Sequence, residues 1–160
     1  MLTRAGSVAL RALVELARNP GQALAGRALA GRQGLPAPLL EQLLLQLRRA
    51  GLLEARRGRS GGYRLAIAPE KLAVVDVLSA VGGRRQLQLR EPREPTPNQN
   101  SEINAASSSA AAGDRLERQL QQRLNRAVER ELAELTIAEL LYDQLSWEAS
   151  LEPEGGLMLG

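Results

Sequence analysis

The sequence of 160 residues predicts a mainly α-helical fold with one small β-hairpin. Two observations lead to this prediction. Apolar residues recur three and four positions apart in several segments, which is the spacing of a buried helix face. Between two such segments, alternating apolar and polar residues flank a glycine-rich turn, which is typical of a hairpin. The length suits one small domain with an appended element.

The first helix is expected within residues 1–19. Its apolar face consists of Ala9, Ala12, Leu13, Leu16 and Ala17. Arg4, Arg11 and Arg18 recur every seven residues, and we interpret them as a solvated basic stripe on this amphipathic core helix. The longest apolar run here has only three residues, which is too short for a signal peptide. No stretch of the chain approaches the roughly 18 apolar residues of a membrane span.

Two further helices are expected, the second over about residues 24–33 and the third over about 36–50. Proline is tolerated in a first helical turn, so Pro36 is a suitable start for the third helix. The buried stripe of this helix consists of Leu40, Leu43, Leu44 and Leu47. Its opposite face carries Pro38, Gln42, Gln46 and Arg49, with Glu41 at the flank.

The hairpin follows the third helix. Residues 52–57 are expected to form its first strand, and Gly58–Gly62 its turn. The second strand is predicted because Tyr63, Leu65 and Ile67 alternate with Arg64 and Ala66. A fourth helix is expected over residues 72–81, closed by two glycines.

The C-terminal half is expected to begin with a long linker. Residues 91–113 are rich in proline, serine, asparagine and alanine, so we divide the chain into a domain over 1–83, a linker over 84–113, helices over 114–150 and a tail over 151–160. Asp114 is a candidate N-cap for a long helix. Thr136 and Glu139 form a capping-box pattern, which predicts a break there and a short final helix to about Trp147.

A leucine-rich stripe runs along the long helix. It consists of Leu116, Leu120, Leu124, Val128, Leu132 and Leu135. An isolated helix cannot bury such a stripe, so it needs the remainder of the chain or a second copy of itself. The residues alone leave both possibilities open.

The composition excludes several function classes. The chain has no histidine and no cysteine, so it cannot form a Ser-His-Asp triad, a structural zinc site or a cysteine-ligated iron–sulfur cluster by itself. We expect no enzyme activity, no metal site and no cofactor. Residues 1–90 carry 15 basic and 5 acidic side chains, a net +10, whereas residues 91–160 carry 6 and 13, a net −7. A basic first half suggests a polyanionic partner.

The order of three helices followed by a glycine-tipped hairpin is that of a winged helix-turn-helix. In that architecture one helix enters the major groove of DNA and the hairpin, or wing, contacts the backbone. Six arginines and a single acid lie between residues 48 and 64. We interpret these arginines as a DNA-binding surface, because they lie around the wing that follows a candidate recognition helix. The alternative is a solvated hairpin with a charged tip. Gln42 and Glu41 have the chemistry to read adenine and cytosine edges, or they form an ordinary solvated pair. No phosphate-loop motif is present.

The sequence resembles the IscR-type (BadM/Rrf-two) family of bacterial winged-helix transcription regulators. The resemblance is carried by Leu2-Thr3, the segment Leu40–Leu43, the segment Leu47–Leu52, Arg57-Gly58 and the segment Gly61–Leu65. It implies a cytoplasmic homodimer in which the long helix crosses to the partner and aligns two recognition helices on a palindromic operator.

The resemblance also implies roles for single residues. Glu41 and Gln42 would read base edges, Arg57 would make the wing contact, and Thr3 would touch phosphate. Phosphate contacts are further expected from Arg48, Arg49, Arg56 and Arg59. Ser60 and Gly61 at the wing tip complete the expected DNA-binding set, because glycine lets the backbone approach the duplex.

Two departures from the family pattern bear on function. Pro38 and Leu45 replace small polar residues on or near the groove face. Many members bind a [2Fe–2S] cluster through three cysteines before the long helix, where this chain has none. The chain then represents a cluster-free branch, or its ligands were replaced by serine or alanine. The alternatives to a sequence-specific regulator are a dimeric scaffold or protein-interaction module, and a small-molecule-sensing regulator with weak sequence specificity.

Overall fold

The computed structural model describes residues 2–82 and 106–151. The fold is mainly α-helical with one antiparallel hairpin, as predicted. The elements in chain order are α1 (Arg4–Ala17), α2 (Gly26–Gln33), α3 (Ala37–Arg49), β1 (Leu53–Arg56), β2 (Gly62–Leu65), α4 (Val74–Gly82), α5 (Ala106–Glu134) and α6 (Ile137–Leu151). The expected linker residues up to 105 and the tail beyond 151 lie outside the described residues.

Helix α1 lies at the centre of the core. It contacts α2, α3, α4 and α6, and its predicted apolar face is fully buried. Thr3 caps its N-terminus, because the Thr3 hydroxyl oxygen accepts a hydrogen bond from the Gly6 amide at 3.1 Å. The helix therefore positions the elements that surround it.

The sequence predicts that α2 begins at Leu24, but the helix begins two residues later, at Gly26. The reason is a backbone bridge between Leu24 and Tyr63 of the hairpin. The Leu24 amide donates to the Tyr63 carbonyl at 2.9 Å, and the Tyr63 amide donates to the Leu24 carbonyl at 2.8 Å. Leu24 is therefore extended rather than helical, and its two hydrogen bonds hold the wing against the helices.

The hairpin pairs Leu53 with Leu65 and Glu54 with Arg64, and its strands are shorter than predicted. Ile67 lies beyond the second strand, since the chain turns through a short 3-10 helix at Pro69–Lys71 before α4. The stripe of four leucines on α3 is buried, which confirms the predicted face of that helix.

A second backbone bridge attaches the C-terminal helices to the winged domain. Ala73 pairs with Thr136, the Val74 amide donates to the Leu135 carbonyl at 2.9 Å, and the Ile137 amide donates to the Leu72 carbonyl at 2.9 Å. The Ile137 side chain is completely buried in the core. This bridge explains why α4 begins at Val74, two residues later than predicted. We call it the α5–α6 corner.

Helix α5 begins at Ala106, eight residues before the predicted N-cap. Asp114 therefore lies inside the helix, and residues 106–113 are helical rather than part of the linker. Three consecutive alanines, 110–112, precede Asp114, and alanine has the highest intrinsic helix propensity, so the helix extends through them. No helix within the described ranges is long and apolar enough to cross a membrane.

Helix α6 begins with the predicted capping box. The Thr136 amide donates to Glu139 Oε2 at 2.8 Å, and the Glu139 amide donates to Thr136 Oγ1 at 3.3 Å. The helix continues to Leu151, four residues past its predicted end. Side-chain hydrogen bonds from Gln144 and from Arg18 of α1 to Glu148 support this last turn.

The capping box predicts a pH dependence of stability. The backbone hydrogen bond from Thr136, followed by that from its hydroxyl, lowers the pKa of Glu139 from 4.5. Because the folded-state pKa is lowered, this contribution to stability is present above about pH 4.5 and is lost as the pH falls through the folded value. We expect Glu139→Gln to reduce the acid-induced fall in melting temperature between pH 7 and pH 3. Glu117→Gln, outside the capping box, is the control, and equal behaviour of both variants would contradict the prediction.

Candidate nucleic-acid interface

The outward face of α3 presents one line of residues along the helix. Pro38, Gln42, Leu45 and Arg49 follow each other at spacings of four, three and four, opposite the buried leucines, and all are exposed. Pro36, the N-cap, and Pro38, in the first turn, restrict the backbone conformation where α3 begins. The line is polar at Gln42, apolar at Leu45 and cationic at Arg49.

Five of the six arginines between residues 48 and 64 are exposed and make no ion pair with any side chain in the described ranges. They are Arg48, Arg49, Arg56, Arg57 and Arg59. The sixth, Arg64, lies opposite Glu54 in the hairpin register and donates to Glu54 Oε2 at 2.7 and 2.9 Å. The end of α3 and the wing therefore carry five uncompensated positive charges, which we call the arginine cluster.

The wing is held close to the helices by a glycine. Gly62 has φ +150°, a conformation that side chains rarely adopt, and an added Cβ would lie 2.6 Å from the Ala25 amide nitrogen and closer still to Leu24 backbone atoms. Only glycine fits between the wing and residue 24. The exposed Ser60 and the half-buried Gly61 form the tip, where the Gly61 amide donates to the Gly58 carbonyl at 2.9 Å.

Glu41 points away from the outward line of α3. An added Cβ at Gly26 would lie 2.9 Å from Glu41 Cδ and closer still to Oε1, so the carboxylate rests on the first residue of α2. A helix N-terminus favours a negative charge, which suits this position. The side chains of the two neighbouring residues expected to read base edges therefore point in different directions. Gln42 lies on the outward line, whereas the Glu41 carboxylate contacts Gly26 of α2.

The basic stripe of α1 is exposed at Arg4 and Arg11, as expected, but Arg11 and the half-buried Arg18 also bond other elements. Glu15 is 7% exposed and forms ion pairs with Arg18 and Arg32 at 3.2 Å each. Arg18 also bonds Glu148 of α6, and Arg11 donates to the Gln33 carbonyl at the end of α2. A buried charge requires such partners. A lone acid between Leu13 and Ala17 was the signal in the sequence for this network.

Thr3 lies at the start of α1, where its side chain caps the helix.

The predicted dimerisation stripe divides into two parts. Leu116, Leu120, Leu124 and Val128 are between 38% and 67% exposed, whereas Leu132 and Leu135 pack against the core of their own chain. The first four, which we call the α5 stripe, thus form an uncovered apolar surface in the described chain.

Cysteine and histidine, the usual ligands of structural zinc and of iron–sulfur clusters, are the first candidates for a metal site. The whole sequence lacks cysteine and histidine, and no group of three or more acidic side chains in the described ranges is arranged to hold a metal ion.

Known proteins with similar sequences are transcriptional regulators. A family model, Rrf2, described as an iron-dependent transcriptional regulator, matches residues 2–143. A Synechocystis protein named as an HTH-type transcriptional regulator, slr0846, is 37% identical over 93% of this chain and 92% of its own length. The transcriptional regulator IscR of Cereibacter sphaeroides is 45% identical over 83 residues, which are 50% of this chain and 54% of that protein.

Solved structures support the same assignment. CymR, named as the global cysteine regulator of B. subtilis, superposes with a TM-score of 0.65 and 26% identity over 89% of this chain and 97% of that chain. T. potens IscR gives a TM-score of 0.64 and 25% identity over 97% and 93% of the two chains. The predicted winged-helix fold and the prediction of a regulator rather than an enzyme are confirmed by these matches. The chain belongs to the Rrf2 family of transcriptional regulators.

Proposed function

We propose that this chain binds duplex DNA as a homodimer at a palindromic operator, through α3 and the wing, and without an iron–sulfur cluster. The observation that supports DNA binding best is the arginine cluster. Five exposed guanidinium groups at the end of α3 and on the wing, without ionic partners among the described residues, match the fixed negative charges of a phosphate backbone. An internal role would instead have paired them, as it pairs Arg64 with Glu54.

The residues divide into two groups in this proposal. Arg48, Arg49, Arg56 and Arg59 contact phosphates and so position the protein, and Ser60, Gly61 and Thr3 add polar contacts near the backbone. Gln42 on the outward line and Arg57 on the wing contact base edges. Glu41 reaches a base only by leaving Gly26, so its contact is conditional on a change of side-chain conformation.

The α5 stripe supports the homodimer. Four large apolar side chains along one helix remain uncovered by the described chain, and a second copy of the same helix covers such a stripe in a two-fold arrangement. Two winged domains, spanning residues 1–83, would then contact half-sites about one DNA turn, or roughly 34 Å, apart. We place this dimer in the bacterial cytoplasm, where its DNA lies.

A cluster-free mode of action follows from the donor set. The thiolates that hold [2Fe–2S] clusters are missing from the whole chain, and neutral serine hydroxyls are poor substitutes. The residues present therefore do not fit the iron centre that the family description implies. We expect the affinity for DNA to be unchanged by an iron chelator and by anaerobic preparation.

Selection of bound fragments from random duplex DNA tests the proposal. We expect a palindromic motif to be enriched and the affinity for it to fall steeply with salt. If both copies use four phosphate-contacting arginines, the slope of log affinity against log salt is about −7. A dimer that enriches no motif would instead support the dimeric scaffold, the alternative that the exposed Pro38 and Leu45 leave open.

Arg57→Ala and Gln42→Ala are expected to affect binding differently. Loss of the Arg57 guanidinium should weaken operator binding about tenfold or more, since a bidentate base contact contributes about 1–3 kcal/mol. Loss of the Gln42 amide should relax the base preference at one position of each half-site. The affinity for random DNA should fall by less. Gel-shift titration and repeated selection measure both effects. Arg118→Ala on α5 removes the same charge and serves as control, and an equal loss on every sequence for Gln42→Ala would contradict base readout.

Leu120→Glu combined with Leu124→Glu is expected to dissociate the dimer. Two carboxylates would be buried in an apolar interface, which should raise the dimer dissociation constant by at least about a hundredfold. Sedimentation equilibrium measures the change. The control is Gln122→Glu with Arg126→Gln, which alters the net charge by the same amount on the opposite face of α5. Dissociation by the control, or a dimer that survives the first pair, would contradict the α5 interface.

A further inference from the structure

The middle of the outward line of α3 is apolar. Leu45 is 39% exposed, three residues after Gln42 and four residues before Arg49, on the face opposite the buried leucines. The packing of the core does not account for a leucine at this position, because its side chain is not part of the buried cluster or of the residues that pack against it. A residue on this line is placed to meet whatever α3 contacts.

The neighbourhood of Leu45 favours a nucleic acid as its contact. The arginine cluster lies at the end of α3 and on the wing, and the Glu41 carboxylate of the same helix rests on Gly26, away from the outward line. An apolar protein partner that covered α3 and the wing would have to accommodate five positive charges together with one exposed leucine. The major groove accommodates both features, since it offers phosphates on its edges and one apolar group on its floor, the C5-methyl group of thymine.

We propose that Leu45 is a specificity-determining residue that contacts the methyl group of a thymine in each operator half-site, next to the base pair that Gln42 reads. The inference rests on the proposed function, because it assumes that α3 enters the major groove. Three residues of helix advance by about 4.5 Å, and successive base pairs are about 3.4 Å apart, so Gln42 and Leu45 meet neighbouring base pairs. The readout of the half-site then includes an adenine edge and a thymine methyl group.

Replacement of thymine by uracil tests this contact, because it removes the methyl group and leaves base pairing and the other groove atoms unchanged. In the operator obtained by selection, each symmetric pair of thymines is replaced in turn. We expect one position at which the wild-type dimer binds the uracil duplex about fourfold more weakly per half-site, or about sixteenfold for both, the ratio for one methyl-sized apolar group returned to water. Leu45→Ala should bind the thymine and uracil duplexes equally.

The controls separate this contact from general effects. Gln46→Ala, on the same helix and also exposed, should retain the full thymine-to-uracil ratio, and circular dichroism confirms that each variant is folded. A wild-type dimer that binds its operator but shows no uracil effect at any position overturns the Leu45 contact and leaves the proposed function standing. A uracil effect that persists in Leu45→Ala overturns it as well. A selection that enriches no motif overturns both proposals.

Discussion

The Ile137→Ala variant is expected to lose about 3 kcal/mol of its free energy of unfolding. Ile137 is completely buried, and removal of a buried isoleucine side chain to alanine costs about 2–5 kcal/mol, because apolar contacts are lost and a cavity remains. The residue also carries the amide that bonds the Leu72 carbonyl at the α5–α6 corner, so the cavity lies where the C-terminal helices join the winged domain. We therefore expect the α5–α6 unit to detach before the remainder unfolds.

Urea denaturation followed by two probes measures this effect. Fluorescence of Trp147 reports on α6, and far-ultraviolet circular dichroism reports on the whole chain. The two transitions should coincide in the wild type and separate in Ile137→Ala. Ile137→Val should cost only about 1 kcal/mol, since it removes a single methylene group. Leu145→Ala, at an exposed position of the same helix, should stay within about 0.5 kcal/mol, and a larger loss there would contradict the assignment of Ile137 as the anchor.

Gly62→Ala is expected to destabilise the chain by at least about 2 kcal/mol and to weaken DNA binding more than any single arginine replacement. An alanine Cβ at φ +150° is strained, and it would overlap the backbone of residues 24 and 25, which cannot turn aside as a side chain does. The wing would have to move, and both hydrogen bonds of the Leu24–Tyr63 bridge would stretch. The wing arginines would then lose their alignment with α3.

Gly31→Ala is the matched control for this change. Gly31 lies within α2 and has no atom within 4 Å of an added Cβ, so alanine should be neutral or stabilising by about 0.5–1 kcal/mol. Thermal unfolding and gel-shift titration measure the two variants. If Gly62→Ala keeps wild-type stability and affinity, the bridge is not what positions the wing.

The sequence was sufficient for features that depend on local spacing. The leucine face of α3, the hairpin after it and the Thr136–Glu139 capping box each follow from residues within one or two helical turns, so periodicity and capping rules identify them. The sequence places the start of α5 eight residues too late, because the polar serines before the alanine run resemble a linker, whereas the helix continues through both.

The pairing of charged side chains could not be predicted, because it depends on which elements meet in three dimensions. Arg64 and the cluster arginines look alike in sequence, and only the hairpin register assigns Arg64 to Glu54. Glu41 rests on Gly26 because α2 and α3 meet there, and the buried Glu15 has an ionic partner because Arg32 of α2 reaches it. These contacts distinguish side chains available to DNA from those that stabilise the fold.

The α5–α6 corner fixes the position of α5 relative to the winged domain. Helix α5 has 29 residues and is about 44 Å long, and the paired backbone at Ala73 and Thr136 joins its end to the winged domain without a flexible joint. In a homodimer built on the α5 stripe, the crossing angle of two such helices would set the separation of the two recognition helices. Mutations that alter this crossing would shift the preferred spacing of half-sites while leaving the bases read within each half-site unchanged.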